Sequence, residues 1–72
     1  MTKVAITNDI RRLRFEHDEM TQQHLAEKIG VSRQTVNAIE TGKYWPSLEV
    51  AFRIAEVFGR RVDEVFRFAS GA

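Results

Sequence analysis

Cysteine is missing altogether from this chain of 72 residues. No disulfide can staple the fold and no thiolate can hold zinc, although a core this small supplies only roughly 3–5 kcal/mol of net stability. Self-association is the route left for adding to it, and the lack of cysteine fits a reducing compartment. Long apolar runs are missing too. No segment reaches the ~20 residues that span a bilayer, and the first residues lack the apolar stretch of a secretion signal, so a soluble, cytoplasmic protein is expected. Proline occurs once, at Pro46, and no repeat, linker or low-complexity tract divides the chain. A single domain over 1–72 is predicted.

A large excess of either charge is also absent. Eleven Lys and Arg oppose ten Asp and Glu, for a net charge of +1, so the totals do not announce a nucleic-acid binder and only the distribution can. Between Lys28 and Ser47 stand Lys28, Arg33 and Lys43 against one acid, Glu40; the other nine carboxylates lie in the flanks. Charge is therefore segregated weakly toward that stretch. His17 and His24 are seven apart with no cysteine near them, which argues against a metal site. No nucleophile stands with a base and an orienting group, so neither enzyme chemistry nor a cofactor is expected. A second domain to hold a small-molecule effector is lacking.

What is present is a series of short amphipathic helices. Lys3 to Thr7 alternates as a short extended segment would, Thr7 or Asn8 is placed to cap the next helix, and Asp9 suits its first turn. Helix 1 runs to about His17 with Ile10, Leu13 and His17 on one stripe; Phe15, off that stripe, is read as folded over a neighbouring segment. Asp18 and Glu19 form an acidic turn before Met20, which plugs the core. Thr21 caps helix 2, which buries Leu25, Ala26 and Ile29 and stops at Gly30. Ser32 caps helix 3, which ends near Thr41 before Gly42. Ser47 caps helix 4, whose wide apolar arc of Leu48, Ala51, Phe52, Ile54, Ala55 and Phe58 marks it as the central, most buried helix. After Gly59, Val62 to Phe66 suffices for one or two turns of helix 5, Phe66 to Phe68 alternates as a strand, and Ser70 to Ala72 is expected to fray. The reading is an all-α bundle with a short two-stranded antiparallel ribbon where its termini meet.

Residues 21–43 hold the candidate functional surface. Ala26 and Gly30 allow helices 2 and 3 a close approach, and stepping ~100° per residue places Arg33, Gln34, Asn37, Ala38 and Thr41 on the outer face of helix 3. An Arg fork suits guanine O6 and N7, a Gln or Asn amide suits adenine N6 and N7, and an Ala methyl can touch the thymine methyl. Gln22, in the first turn of helix 2, is placed for a phosphate oxygen, as are Lys43 and the Tyr44 hydroxyl beyond helix 3. Trp45 is read as cover for the core. By themselves these residues also describe an ordinary solvated helix face.

Gln22, Leu25, Ala26, Ile29, Gly30, Val31, Val36 and Ile39, with the segments GVSRQT, IETGKY and PSL, closely resemble the helix-turn-helix family of phage repressor and Cro-like regulators, the Xre family. The resemblance covers 8–66, with the helix-turn-helix itself at 21–41. It implies a compact five-helix, repressor-like DNA-binding fold, with helix 3 (32–41) in the major groove of double-stranded DNA. The contacts it implies are Gln22 on a phosphate and Arg33, Gln34 and Asn37 near bases or backbone; Ser32, Thr35, Ala38, Thr41, Lys43 and Tyr44 complete the expected DNA face. It further implies that Arg14 pairs with Glu40 inside the domain. The link from Arg14 to Met20 looks one residue longer than the family's usual one, and Trp45 stands where a small or polar residue is common. Such regulators usually act as homodimers on pseudo-palindromic sites; Val4 and Ile6 offer ribbon material, and Val62, Val65, Phe66 and Phe68 are the expected dimer contact. A rival expectation is an antitoxin-like module in which Phe15, Trp45 and Phe68 mask a partner protein.

Overall fold

In the computed structural model, which describes residues 6–69, five helices are closed by a two-stranded ribbon. The elements are β1 (Ile6–Asn8), α1 (Ile10–Glu16), α2 (Gln22–Ile29), α3 (Arg33–Glu40), α4 (Leu48–Phe58), α5 (Val62–Val65) and β2 (Phe66–Phe68). The expected strand at 3–7 is found as Ile6–Asn8; residues 3–5, including Val4, and the tail 70–72 lie outside the described residues. β1 and β2 pair antiparallel, Ile6 opposite Phe68 and Asn8 opposite Phe66.

Local chemistry sets most helix limits. Thr21, Ser32 and Ser47 each accept a hydrogen bond from the backbone amide three residues on, at His24, Thr35 and Val50, which satisfies one free donor per helix start. At the other ends Gly30 and Gly59 adopt φ of 77° and 64°, a region closed to most side chains. Gly30 is required by that turn and not by close helix packing: a Cβ there would meet Arg53 Nη1 at 3.5 Å, an ordinary contact. Asp9 occupies the cap position of α1 rather than its first turn and makes no side-chain cap bond. Asn8 Oδ1 instead accepts from Ile10 N at 3.1 Å.

The core is formed by Ile10 and Leu13 of α1, Leu25, Ala26 and Ile29 of α2, Val36 and Ile39 of α3, Ile54, Ala55 and Phe58 of α4, and Val65. Met20, Val31, Val50, Val57, Val62 and Phe66 pack around it. His17 closes one end, its ring edge-on to Phe58 at 5.1 Å and its Nδ1 2.9 Å from the Leu13 carbonyl. The apolar arc of α4 divides in two. Ala51, Ile54, Ala55 and Phe58 are buried, whereas Leu48 and Phe52 face out, with Phe52 57% exposed. The helix is thus not buried all round; one edge of its arc lies outside the domain.

Other expectations meet the structure as follows. Val65, placed at the dimer contact from its sequence, is 0% exposed and belongs to the core, because the single turn of α5 points it inward, and its carbonyl accepts from Asp9 N at 3.0 Å. Phe15, expected to fold over a neighbouring segment, and Trp45, expected to cover the core, are 68% and 55% exposed, and neither is among the residues packed against the core. The acidic turn is left-handed at two successive residues, Asp18 (φ 58°) and Glu19 (φ 53°). The turn closes as a wide loop in which Glu19 N donates to the Phe15 carbonyl and Met20 N to the Arg14 carbonyl.

Candidate nucleic-acid interface

The C-terminal half of α3 is fastened to the rest of the domain at three places. Arg14 of α1 grips the Glu40 carboxylate with both teeth of its fork, Nε to Oε1 at 2.9 Å and Nη2 to Oε2 at 2.8 Å, while Nη1 donates to the Met20 carbonyl at 2.7 Å. Both side chains are largely buried, 16% and 9% exposed. Asn8 Nδ2 donates to the Ile39 carbonyl at 3.1 Å. Beyond Gly42 the amides of Lys43 and Tyr44 both return to the Ala38 carbonyl, at 2.9 and 3.2 Å. The segment after α3 is thereby held against the helix it follows.

The N-terminal turn, by contrast, is clear of other elements. Arg33 and Gln34 are exposed and their side chains make no hydrogen bond among the described residues, which leaves five guanidinium N–H donors and a whole amide available. Ser32 Oγ lies 3.0 Å from Thr35 Oγ1 and accepts from Thr35 N at 3.1 Å. The two hydroxyls thus serve the helix start first. Thr41, at the far end, donates its hydroxyl to the Asn37 carbonyl at 2.8 Å; only its acceptor capacity remains outward.

Gln22 and Asn37 come together, which sequence spacing alone does not reveal. Gln22 Nε2 donates to Asn37 Oδ1 at 3.0 Å across the α2–α3 angle. The bond orients the Asn37 amide: both Nδ2 hydrogens and one Oδ1 lone pair stay free, so Asn37 presents itself mainly as a donor. Gln22 keeps its Oε1 and one N–H and stands beside the unpaired amides at the start of α2. Ala38 is half-buried, while Lys43 and Tyr44 are exposed beyond the end of α3.

Electrostatics favour this side of the molecule. With Glu40 matched by Arg14, the single acid between residues 28 and 47 is neutralised in place. Lys28, Arg33 and Lys43 make no ion pair among the described residues, and neither do Arg11 and Arg60, whereas Arg12, Arg53, Arg61 and Arg67 are each matched by a carboxylate. Three of the five cations left unmatched among the described residues thus lie between residues 28 and 43, a stretch whose one acid is already paired.

A second surface lies away from these residues. An apolar groove between α4 and α5 is lined by Phe52, Ala55, Val62 and Phe66 and rimmed by Glu49, Arg53, Glu56, Arg60, Arg61 and Asp63. It shares Phe66 and Asp63 with a shallower one made by Ile6, Arg67 and Phe68. The outward position of Phe52 and the bond from Asn8 to Ile39 were not foreseen from sequence, which offered Asn8 only as a cap of helix 1. Phe52 was absorbed in the core-facing arc of α4, and Asn8 reaches a partner 31 residues away.

Residues 10–65 match the helix-turn-helix family profile. An uncharacterized HTH-type transcriptional regulator of Methanocaldococcus jannaschii is 51% identical over 59 residues, which cover 82% of this chain and 88% of that protein. One from Bacillus subtilis is 42% identical over 59 residues with the same two coverages. Among solved structures, that of a candidate DNA-binding protein from Bacteroides fragilis superposes with a TM-score of 0.75 at 26% identity, covering 86% of this chain and 98% of that one.

Proposed function

Since this chain belongs to the helix-turn-helix family of Xre and Cro-like transcriptional regulators, we propose that it is a DNA-binding repressor which acts as a homodimer, with α3 of each protomer in the major groove. The observation that carries the reading is the contrast along α3: its C-terminal half is fastened to α1 and the ribbon, while Arg33 and Gln34 in the first turn are exposed. A helix held at one end and bare at the other can be pushed into a groove about 12 Å wide without losing its own support. Arg33 and Gln34 then read base edges, and Asn37, held by Gln22, donates to a base or phosphate acceptor. Gln22, Lys43 and Tyr44 hold the phosphates on either side. Ser32, Thr35, Ala38 and Thr41 complete the surface without leading the readout.

The dimer reading rests on the α4–α5 groove and the ribbon. Val62, Phe66 and Phe68 remain in it, Phe52 joins them, and Val65 leaves it for the core. The rim carries both signs of charge in similar number, as a surface that meets a copy of itself about a twofold axis requires. Two protomers joined there would present two α3 helices to half-sites one helical turn apart. No helix among the described residues is long and apolar enough to cross a membrane.

Equilibrium titrations with a selected site and with random duplex separate the roles. Lys43→Ala should weaken both alike and reduce the slope of log K against log salt by about one, whereas Arg33→Ala should weaken the selected site by about 1–3 kcal/mol and spare the random duplex. Equal losses on both duplexes for Arg33→Ala would remove it from base readout.

A further inference from the structure

We propose that Asn8 sets the position of the DNA-reading helix relative to the dimer face, by tying the terminal ribbon directly to the last turn of α3. The inference rests on the dimer and readout roles proposed above and adds to them the residue that couples the two.

Asn8 ends β1, paired with Phe66 of β2. Its side chain is bonded on both sides: Oδ1 accepts from Ile10 N and Nδ2 donates to the Ile39 carbonyl, each at 3.1 Å. An amide N–H can only donate and a carbonyl can only accept, so a single orientation of the amide satisfies both partners. The Ile39 carbonyl also accepts from Gly42 N at 3.1 Å, and its two lone pairs are then filled. One residue on, Asp9 N donates to the Val65 carbonyl and the Asp9 carboxylate accepts from Arg67 Nη2 at 2.9 Å. Within two residues the end of β1 therefore joins α1, α3, α5 and β2. Among the described residues, the bond from Asn8 to Ile39 is the hydrogen bond between ribbon and α3; Arg14 and Glu40 fasten the same end of α3 to α1 instead.

The consequence concerns spacing. In a dimer built on the ribbon, α5 and Phe52, the separation and tilt of the two α3 helices are transmitted from the interface through each protomer. Moving a half-site by one base pair shifts it ~3.4 Å along the duplex and turns it by about a tenth of a helical turn. A stiff link penalises that change, and a loosened one tolerates it. Asn8 touches no DNA in this arrangement, so its effect should appear in the preference between spacings and not in the affinity of one protomer for one half-site.

Two variants separate this link from the cap of α1. Asn8→Asp and Asn8→Ser both keep an oxygen for Ile10 N, but the carboxylate has no proton to give the Ile39 carbonyl and the serine hydroxyl is too short to reach it. Each is compared with wild type by thermal melting and by sedimentation. Binding is then measured to a single half-site and to palindromes of the selected half-site whose spacing differs by one base pair either way. The expected result is a half-site affinity within about twofold of wild type, with the preference for the best spacing reduced about fivefold, the weight of one neutral hydrogen bond. Should one variant fail to fold, the other carries the comparison. An unchanged spacing preference in a folded, dimeric variant overturns the proposal, as does a loss that falls equally on half-site and palindrome. A wild type that dimerises but discriminates no spacing also overturns it while leaving the dimer in place; a wild type that stays monomeric on its palindrome removes the dimer reading and the proposal together.

Discussion

Arg14→Ala should be among the most damaging single substitutions in the chain, although Arg14 lies outside the proposed DNA face. Three hydrogen bonds vanish, two to Glu40 and one to the Met20 carbonyl, and the Glu40 carboxylate, 9% exposed, is left without a counter-charge. Breaking a fully buried pair from one side costs about 3–5 kcal/mol; allowing for the residual exposure of both groups, about 2–4 kcal/mol is expected here. A chain of 72 residues holds only roughly 3–5 kcal/mol of net stability, so the loss is a large fraction of the whole. At about 4–8 °C per kcal/mol, the midpoint of thermal unfolding should fall by roughly 8–32 °C. Helical circular dichroism during heating and urea titration reads this directly. The double variant Arg14→Met with Glu40→Leu tests the mechanism: with both charges gone, stability should return to within about 1 kcal/mol of wild type. A loss under ~1 kcal/mol for Arg14→Ala would mean that the pair behaves as an exposed one, and the account of how α3 is fastened would be wrong.

Three other expectations follow from particular residues. Glu19→Gly should stabilise the domain by about 0.5–1 kcal/mol, and Asp18→Gly by less, because relief of a left-handed backbone exceeds the entropy that glycine adds to the unfolded chain and Asp tolerates that region better than Glu; urea midpoints lower than wild type would contradict it. Val65→Ala, at a fully buried position, should cost about 2 kcal/mol in urea unfolding. Phe52→Ser and Phe68→Ser should change the unfolding of a dilute sample by less than ~0.5 kcal/mol yet weaken self-association in sedimentation at least tenfold, and retention of the wild-type association constant would take those residues out of the dimer contact.

Much of the fold was legible because it is written in local chemistry. Thr21, Ser32 and Ser47 cap their helices by bonds to amides three residues away, and Gly30 and Gly59 supply left-handed turns, all of which a short window of sequence contains. The apolar periodicity likewise locates Ile10, Leu13, Leu25, Ile29, Val36, Ile39, Ile54 and Phe58 in the core. Periodicity cannot say which apolar face meets the core and which is left for a partner, and so Phe52 and Val65 exchanged places. Nor could composition foresee Asp18 and Glu19 in left-handed geometry: neither residue favours it, and the turn is set by the Phe15 and Arg14 carbonyls it must return to. The pairing of Arg14 with Glu40 came from family resemblance and not from spacing. The links of Asn8 to Ile39 and of Gln22 to Asn37 span 31 and 15 residues, so only the folded chain brings their ends together. At the interface the side chains on α3 could be named in advance, but not which of their hydrogen-bonding atoms are already occupied.

The central claim is that the first turn of α3 reads bases from a dimer. Selection of bound duplexes from a random pool, run in parallel with wild type and with Arg33→Ala and Gln34→Ala, tests it most directly. The account predicts that wild type enriches two inverted half-sites about 10 base pairs apart, centre to centre, and that each variant relaxes base preference at one position, repeated symmetrically in both half-sites. Enrichment of no sequence by wild type, or the same enriched sequence from all three proteins, would contradict it.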